Sequence, residues 1–229
     1  GAIIIGIVFG LGCAVLLTQF CPPKLVAIIK PAIELLAGIP SVVYGFIGLV
    51  VLVPFIRDYV GGGGLSILSA SIVLGIMVLP TVTSISVDAL RAVPASFREG
   101  SIALGATEWQ TTHMVILKAA RSGLLAAIIL GMGRAVGETM AVIMVSGNMA
   151  ALPESLRDLS ILDSVRTLTS NIAIEMNYAS NQDLPNMPGV SHQKALFATG
   201  VVLFVIIMIL NTVALAVSHR RGTGRKVRK

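Results

Sequence analysis

Apolar runs and polar interruptions alternate along the chain. Uncharged runs cover about residues 2–20, 35–56 and 65–87. A fourth run, about 122–146, carries Arg134 and Glu138, and a fifth covers about 195–218. Each approaches or exceeds the roughly 20 residues that a helix needs to cross a hydrocarbon core of about 30 Å. The pattern predicts an all-α, polytopic bundle with five spans in a single domain, 1–229. Pro40 is expected to bend or break the second span near its start, and Pro80 to kink the third. Arg57-Asp58 and the run Gly61–Gly64 read as a turn.

The longest polar interruption, 88–121, has its own local code. Ser96 precedes Glu99 by three residues, and Thr107 precedes Gln110 by three. Each pair fits a capping box. Gly105 lies between them and suits the left-handed position that ends a helix. The stretch therefore predicts a helix over about 97–104, a break at Gly105, and a second helix from about 108. Such a knob beyond the bilayer requires a partner.

The loop 147–193 carries Ile161, Val165, Leu168, Ile172 and Met176 at helical spacing. This predicts an amphipathic helix, with Ser160 and Asp163 as a capping pattern at its start. The tail, 219–229, holds Arg220, Arg221, Arg225, Lys226, Arg228 and Lys229. A cytoplasmic tail puts twelve Lys and Arg inside against four outside (Arg57, Arg157, Arg166 and Lys194). That asymmetry supports five spans with the first residue outside. The chain begins within an apolar run, so a further span is expected ahead of it.

Composition narrows the chemistry. The sequence is 55% hydrophobic and 12% charged, against about 25% charged in soluble domains. The net charge of +6 is concentrated at the ends of spans and in the tail, so nucleic acid is not an expected partner. Cys13 and Cys21 offer neither a disulfide framework nor a zinc spacing. His113, His192 and His219 are far apart, and no metal site or cofactor is expected. No P-loop is present, so the chain cannot cradle ATP in that way. A catalytic constellation is also lacking.

Arg134 and Glu138 stand out by position. Four residues apart, they would share one face of a continuous helix. Arg134 lies 13 residues beyond Arg121, or about 20 Å along a helix, where a charge is costly. Gly133 and Gly137 form Gly-x3-Gly beside them, which permits close helix approach.

The polar stretch resembles the loop that marks permease subunits of ABC importers, whose pattern is Glu-Ala-Ala, three residues, Gly, nine residues, Ile, one residue, Leu-Pro. Glu99-Gly100-Ser101 stands at the triplet, Gly105 at the glycine, Val115 at the Ile and Leu117 at the Leu; Lys118 replaces the Pro. Gly38-Ile-Pro-Ser-Val-Val-Tyr-Gly45 and Gly131-Met-Gly-Arg134-Ala-Val-Gly-Glu138-Thr-Met140 resemble the PstC/PstA family of phosphate-import permeases, and Met140-Ala-Val falls on the PstC side. The resemblance implies a multi-pass inner-membrane transport subunit that is not itself an enzyme. It implies a PstA-like sister permease, two PstB-like ATP-binding subunits, a PstS-like extracytoplasmic phosphate-binding protein and a lipid surround. Coupling to the ATPase would pass through Glu99, Gly100, Ser101, Gly105 and Leu117. Arg134 would line the anion path and Glu138 would hold or compete for it; a structural ion pair between the two is the other reading. A sulfate or molybdate permease would share the knob. An ion-coupled secondary transporter could use Glu138 as a proton relay, but it would need no docking helix.

Overall fold

The structure is a computed structural model that describes residues 1–150, 160–180, 183–184 and 187–222. Arg157 of the expected outer loop and Arg225, Lys226, Arg228 and Lys229 of the tail lie outside the described residues. The helices are α1 (Ala2–Phe20), α2 (Pro23–Ala37), α3 (Ser41–Tyr59), α4 (Ile67–Arg91), α5 (Ala95–Ala103), α6 (Glu108–Ala119), α7 (Arg121–Gly137), α8 (Met140–Val145), α9 (Leu168–Glu175) and α10 (His192–Gly222). A widened π turn ends α1 at Leu16–Phe20, and one interrupts each of α3 and α6, at Gly48–Leu52 and Thr111–Ile116. A short antiparallel hairpin, β1 (Asp183–Leu184) and β2 (Met187–Ser191), precedes α10.

Among the described residues, α1, α3, α4 and the Val213-bounded part of α10 are long and apolar enough to cross a membrane. A fifth span results if α6 and α7, bent by 70° relative to each other, are taken together. Two expectations about the spans change. The second span starts at Ser41, not near residue 35. The ring of Pro40 disfavours a helical Ile39; α2 closes at Ala37, and Pro40 is the N-cap of α3. The fourth span is not one helix: α7 ends at Gly137 and α8 starts at Met140. The third is a single helix with Pro80 inside it, running to Arg91.

Two compact sets of residues each have their own core. The first comprises Ile3–Ile39, Gly75–Arg134 and the chain from Thr212. Its core joins Ala14 and Leu17 of α1, Val26 and Ile33 of α2, Val87 and Leu90 of α4, and Ile116 of α6. α1 lies so close to α4 that a β-carbon at Gly6 would sit 3.0 Å from Val78 and one at Gly10 would sit 3.0 Å from Val82. Gly10 also accepts a hydrogen bond from Thr83 Oγ1 at 3.2 Å. α7 approaches the same valines, since a β-carbon at Gly131 would lie 2.6 Å from Val82 Cγ2. Small residues at such crossings let backbones approach where lipid provides no hydrophobic drive between helices.

The second set comprises Gly1–Ala2, Pro40–Leu74 and Ala135–Asn211. Its core joins Val53 of α3, Ala70 and Val73 of α4, and Ala141 and Val145 of α8. α3 and α8 meet at Gly45, where a β-carbon would lie 2.9 Å from Ala141 Cα. The segment 160–165 is a turn and a single bridge, not the expected start of an amphipathic helix. Its backbone is committed elsewhere. The carbonyls of Asp163 and Ile161 accept from the amides of Ile67 and Leu68, both at 2.9 Å. Those amides belong to the first turn of α4, which has no partners within the helix. Ser160 and Asp163 do bond, with the amide of Ser160 donating to Asp163 Oδ2 at 2.7 Å, but they close a turn. The helix starts later, at Leu168, with Thr167 as its side-chain cap.

Gly131 and Gly133 separate packing from space on one helix. A β-carbon at Gly133 would meet nothing within 4 Å. Gly131→Leu should cost about 1–3 kcal/mol by overpacking and lower the thermal stability of the purified protein. Gly133→Ala should leave its melting curve unchanged.

Candidate functional site

The polar stretch folds largely as its local code requires. Gly105 takes φ +84°, a conformation that L side chains rarely adopt. The Thr107–Gln110 box forms: the amide of Gln110 donates to Thr107 Oγ1 at 3.3 Å, and the amide of Thr107 donates to Gln110 Oε1 at 2.9 Å. The Ser96–Glu99 box does not. Pro94 is the N-cap, without a side-chain bond, and α5 begins at Ala95. Ser96 therefore already lies within the first turn, and Glu99 does not cap the helix.

Two side-chain contacts hold α5 against α6. Arg98 pairs with Glu108 at 2.7 Å. Ser101 Oγ and Thr111 Oγ1 bond at 2.9 Å, with Thr111 buried. Leu117 packs on the core beneath. α5 itself buries none of its residues. Glu99 and Gly100 are exposed, and a β-carbon at Gly100 would meet nothing within 4 Å. Leu104, next to the glycine turn, is 91% exposed, and Trp109 is 63% exposed. Of the residues singled out on this loop, Ser101, Gly105 and Leu117 build the element, while Glu99 and Gly100 present its surface.

Arg134 and Glu138 do not share one continuous helix. Arg134 lies in the last turn of α7, and Glu138 follows the helix end. Their side chains have separate partners. Arg134 Nη1 donates to Thr81 Oγ1 at 2.9 Å, and Nη2 donates to the carbonyl of Ala37 at 3.4 Å. Ala37 ends α2, so the cation meets a carbonyl that has no acceptor role within its own helix, at the negative end of the helix dipole. A guanidinium has five N–H donors, more than these two contacts use. Glu138 Oε1 accepts from the amide of Ala141 at 3.1 Å, in the first turn of α8. The carbonyl of Glu138 accepts from Thr169 Oγ1 of α9 at 3.3 Å. Glu138 thus supports the chain break that the sequence pattern hides.

A further polar cluster gathers around Arg166. Arg166 donates through Nε to the carbonyl of Asn148 at 2.9 Å, and through Nη1 to Asn171 Oδ1 at 3.3 Å and Glu175 Oε1 at 2.6 Å. His192 Nε2, at the start of α10, lies 3.6 Å from Glu175 Oε2. The only sequence signal is Arg166 and Glu175 flanking an apolar stripe, which does not reveal a contact with Asn148 or His192.

A family model described as "Binding-protein-dependent transport system inner membrane component" matches residues 6–222. The probable ABC transporter permease protein YqgH of Bacillus subtilis is 45% identical over 93% of this chain, which spans 65% of that relative's length. The phosphate transport system permease proteins PstC of Mesorhizobium japonicum and Mycobacterium leprae are 35% and 34% identical over 93% and 97% of this chain, and the matches span 67% and 72% of theirs. In structure, the chain is similar to one from inward-facing crystals of the MetNI methionine ABC transporter, with a TM-score of 0.68 at 21% identity; the match covers 96% of this chain and 89% of that one. That likeness concerns the fold.

Arg166 makes more contacts than either of its acidic or amide partners, and its side chain is only 19% exposed. Arg166→Ala should destabilise the protein by about 1–3 kcal/mol. Glu175→Gln keeps an acceptor and should cost less. Thermal melting of the two variants in detergent checks the order.

Proposed function

The chain belongs to the family of binding-protein-dependent transport system inner membrane components, and from that premise we propose that it moves inorganic phosphate across the inner membrane as one of two permeases in an ATP-driven importer. The observation that carries the substrate is the set of PstC relatives at 34–35% identity over more than nine tenths of the chain. The other subunits follow from the same reading. They are a PstA-like permease, two PstB-like ATPase subunits that hydrolyse the ATP, and a PstS-like protein that delivers phosphate from outside.

α5 is the coupling helix in this reading. A rigid, exposed helix ending at a fixed glycine turn can transmit a push, and Arg98–Glu108 and Ser101–Thr111 keep it from sliding on α6. Glu99, Gly100 and Leu104 form its docking face. Arg134 supplies guanidinium donors to a tetrahedral dianion, for which charge-assisted bonds are strongest. Glu138 shapes the path by fixing the start of α8.

Space around Gly105 is open, so substitutions there act through the backbone alone. Gly105→Val forces a β-branched residue to positive φ and should leave the complex assembled but uncoupled. Gly105→Asn, which tolerates that conformation, should retain most ATP-driven uptake. Wild-type uptake after Gly105→Val would remove α5 from the coupling role.

The substrate claim is tested by uptake of radiolabelled phosphate into vesicles bearing the complete transporter, challenged with sulfate, molybdate and arsenate. Arsenate alone should compete well; inhibition by sulfate or molybdate would favour a different oxyanion. In the same assay, Arg134→Gln should lower uptake roughly 10- to 100-fold, the loss carried by one or two charged hydrogen bonds of about 1.5–3 kcal/mol. The Arg134→Gln/Glu138→Gln double variant should stay equally low. Recovery in the double variant would remove Arg134 from the anion path.

A further inference from the structure

The bend between α6 and α7 borders an open cavity of about 710 Å³, within the roughly 300–1,000 Å³ range of small-ligand pockets. Its floor is the crossing of α4 and α7, where a β-carbon at Gly123 would overlap that of Ala89. Phe97 of α5 and Met114 of α6 form apolar walls, and Lys118, Arg121 and Ser122 supply polar groups. No carboxylate lines the cavity. Lys118 is exposed and forms no ion pair among the described residues. The cavity also has a defined depth. α4 ends at Arg91 and α7 begins at Arg121, so it opens where the apolar spans give way to charge, the pattern that marks a membrane face.

We propose that this cavity holds the headgroup of an anionic phospholipid, with Lys118 and Arg121 taking the phosphate and Phe97 and Met114 receiving the glycerol and first acyl carbons. Charge complementarity favours an anion. The apolar walls favour one that carries hydrocarbon over a free ion, which would leave them without a partner. Basic pockets between spans at a membrane face are suited to such headgroups. The inference is independent of the transported ion and would stand if the phosphate reading failed.

The test uses the complete transporter with the full-length permease, purified in detergent and titrated with phosphatidylglycerol, phosphatidylcholine, glycerol phosphate or inorganic phosphate, with bound lipid read by native mass spectrometry. Phosphatidylglycerol should bind selectively. Lys118→Gln/Arg121→Gln should weaken it about 10- to 30-fold, as expected for two headgroup cations. Arg57→Gln/Lys194→Gln, with the same charge change elsewhere, should not. Equal weakening by both pairs, equal binding of phosphatidylcholine, or full displacement by glycerol phosphate or inorganic phosphate would overturn the proposal. If the cavity variant does not assemble, a photoreactive phosphatidylglycerol should still label the Phe97 or Met114 peptide of the unaltered transporter. Labelling only elsewhere, or only after the ATPase subunits are stripped away, would overturn it equally.

Discussion

Val78 and Val82 lie fully buried on α4, where α1 and α7 both come within touching distance through glycines. In a bilayer this contact does work that burial does in a soluble core. Lipid tails solvate an apolar side chain as well as another helix does, so helices stay together only where surfaces fit closely enough to gain dispersion and weak polar contacts. Glycine at the crossing removes the side chain that would hold backbones apart. The Thr83–Gly10 hydrogen bond then becomes possible, because the backbone of α1 is within reach of a hydroxyl on α4. α4 continues to Arg91, where the polar loop begins, so the placement of α5 and α6 depends on how firmly α4 is held.

The break between α7 and α8 obeys a second constraint. A helix that stops inside an apolar span leaves amides and carbonyls without partners, and hydrocarbon cannot satisfy them. The chain supplies its own. The carboxylate of Glu138 takes an amide of α8, the hydroxyl of Thr169 takes the carbonyl of Glu138, and Arg134 takes the end carbonyl of α2. The charges that seem out of place in the sequence are thus tied to the ends of helices, a cheaper way to keep charge inside a membrane protein than exposure to lipid.

What could be read from the sequence was mostly local. The Thr107–Gln110 box and the turn at Gly105 depend on residues within a few positions of one another, and both formed. The Ser96–Glu99 box failed for an equally local reason, since Pro94 starts the helix earlier than the serine could. Five apolar runs revealed the membrane bundle, and Pro40 marked the break near the start of the second, but nothing marked that the fourth would stop at Gly137. Non-local commitments stayed hidden. The stripe from Ile161 to Met176 has helical spacing, yet its first part gives its carbonyls to the amides of α4. Arg166, Glu175 and His192 meet only because the loop folds back on Asn148. Gly6 and Gly10 read as neutral members of an apolar run until the valines that fill them are known.

Leu104 has a consequence for the life of the protein before assembly. At 91% exposure, beside a turn that fixes its direction, it is a hydrophobic side chain held out from the body of the chain. Phe97, Ile102 and Trp109 of the same loop are also exposed, and apolar residues displayed together mark an interaction site that is an aggregation liability while uncovered. An orphaned copy therefore carries its own mark of incompleteness, and whatever docks over α5 would erase it. The same geometry would leave an uncovered copy prone to self-association.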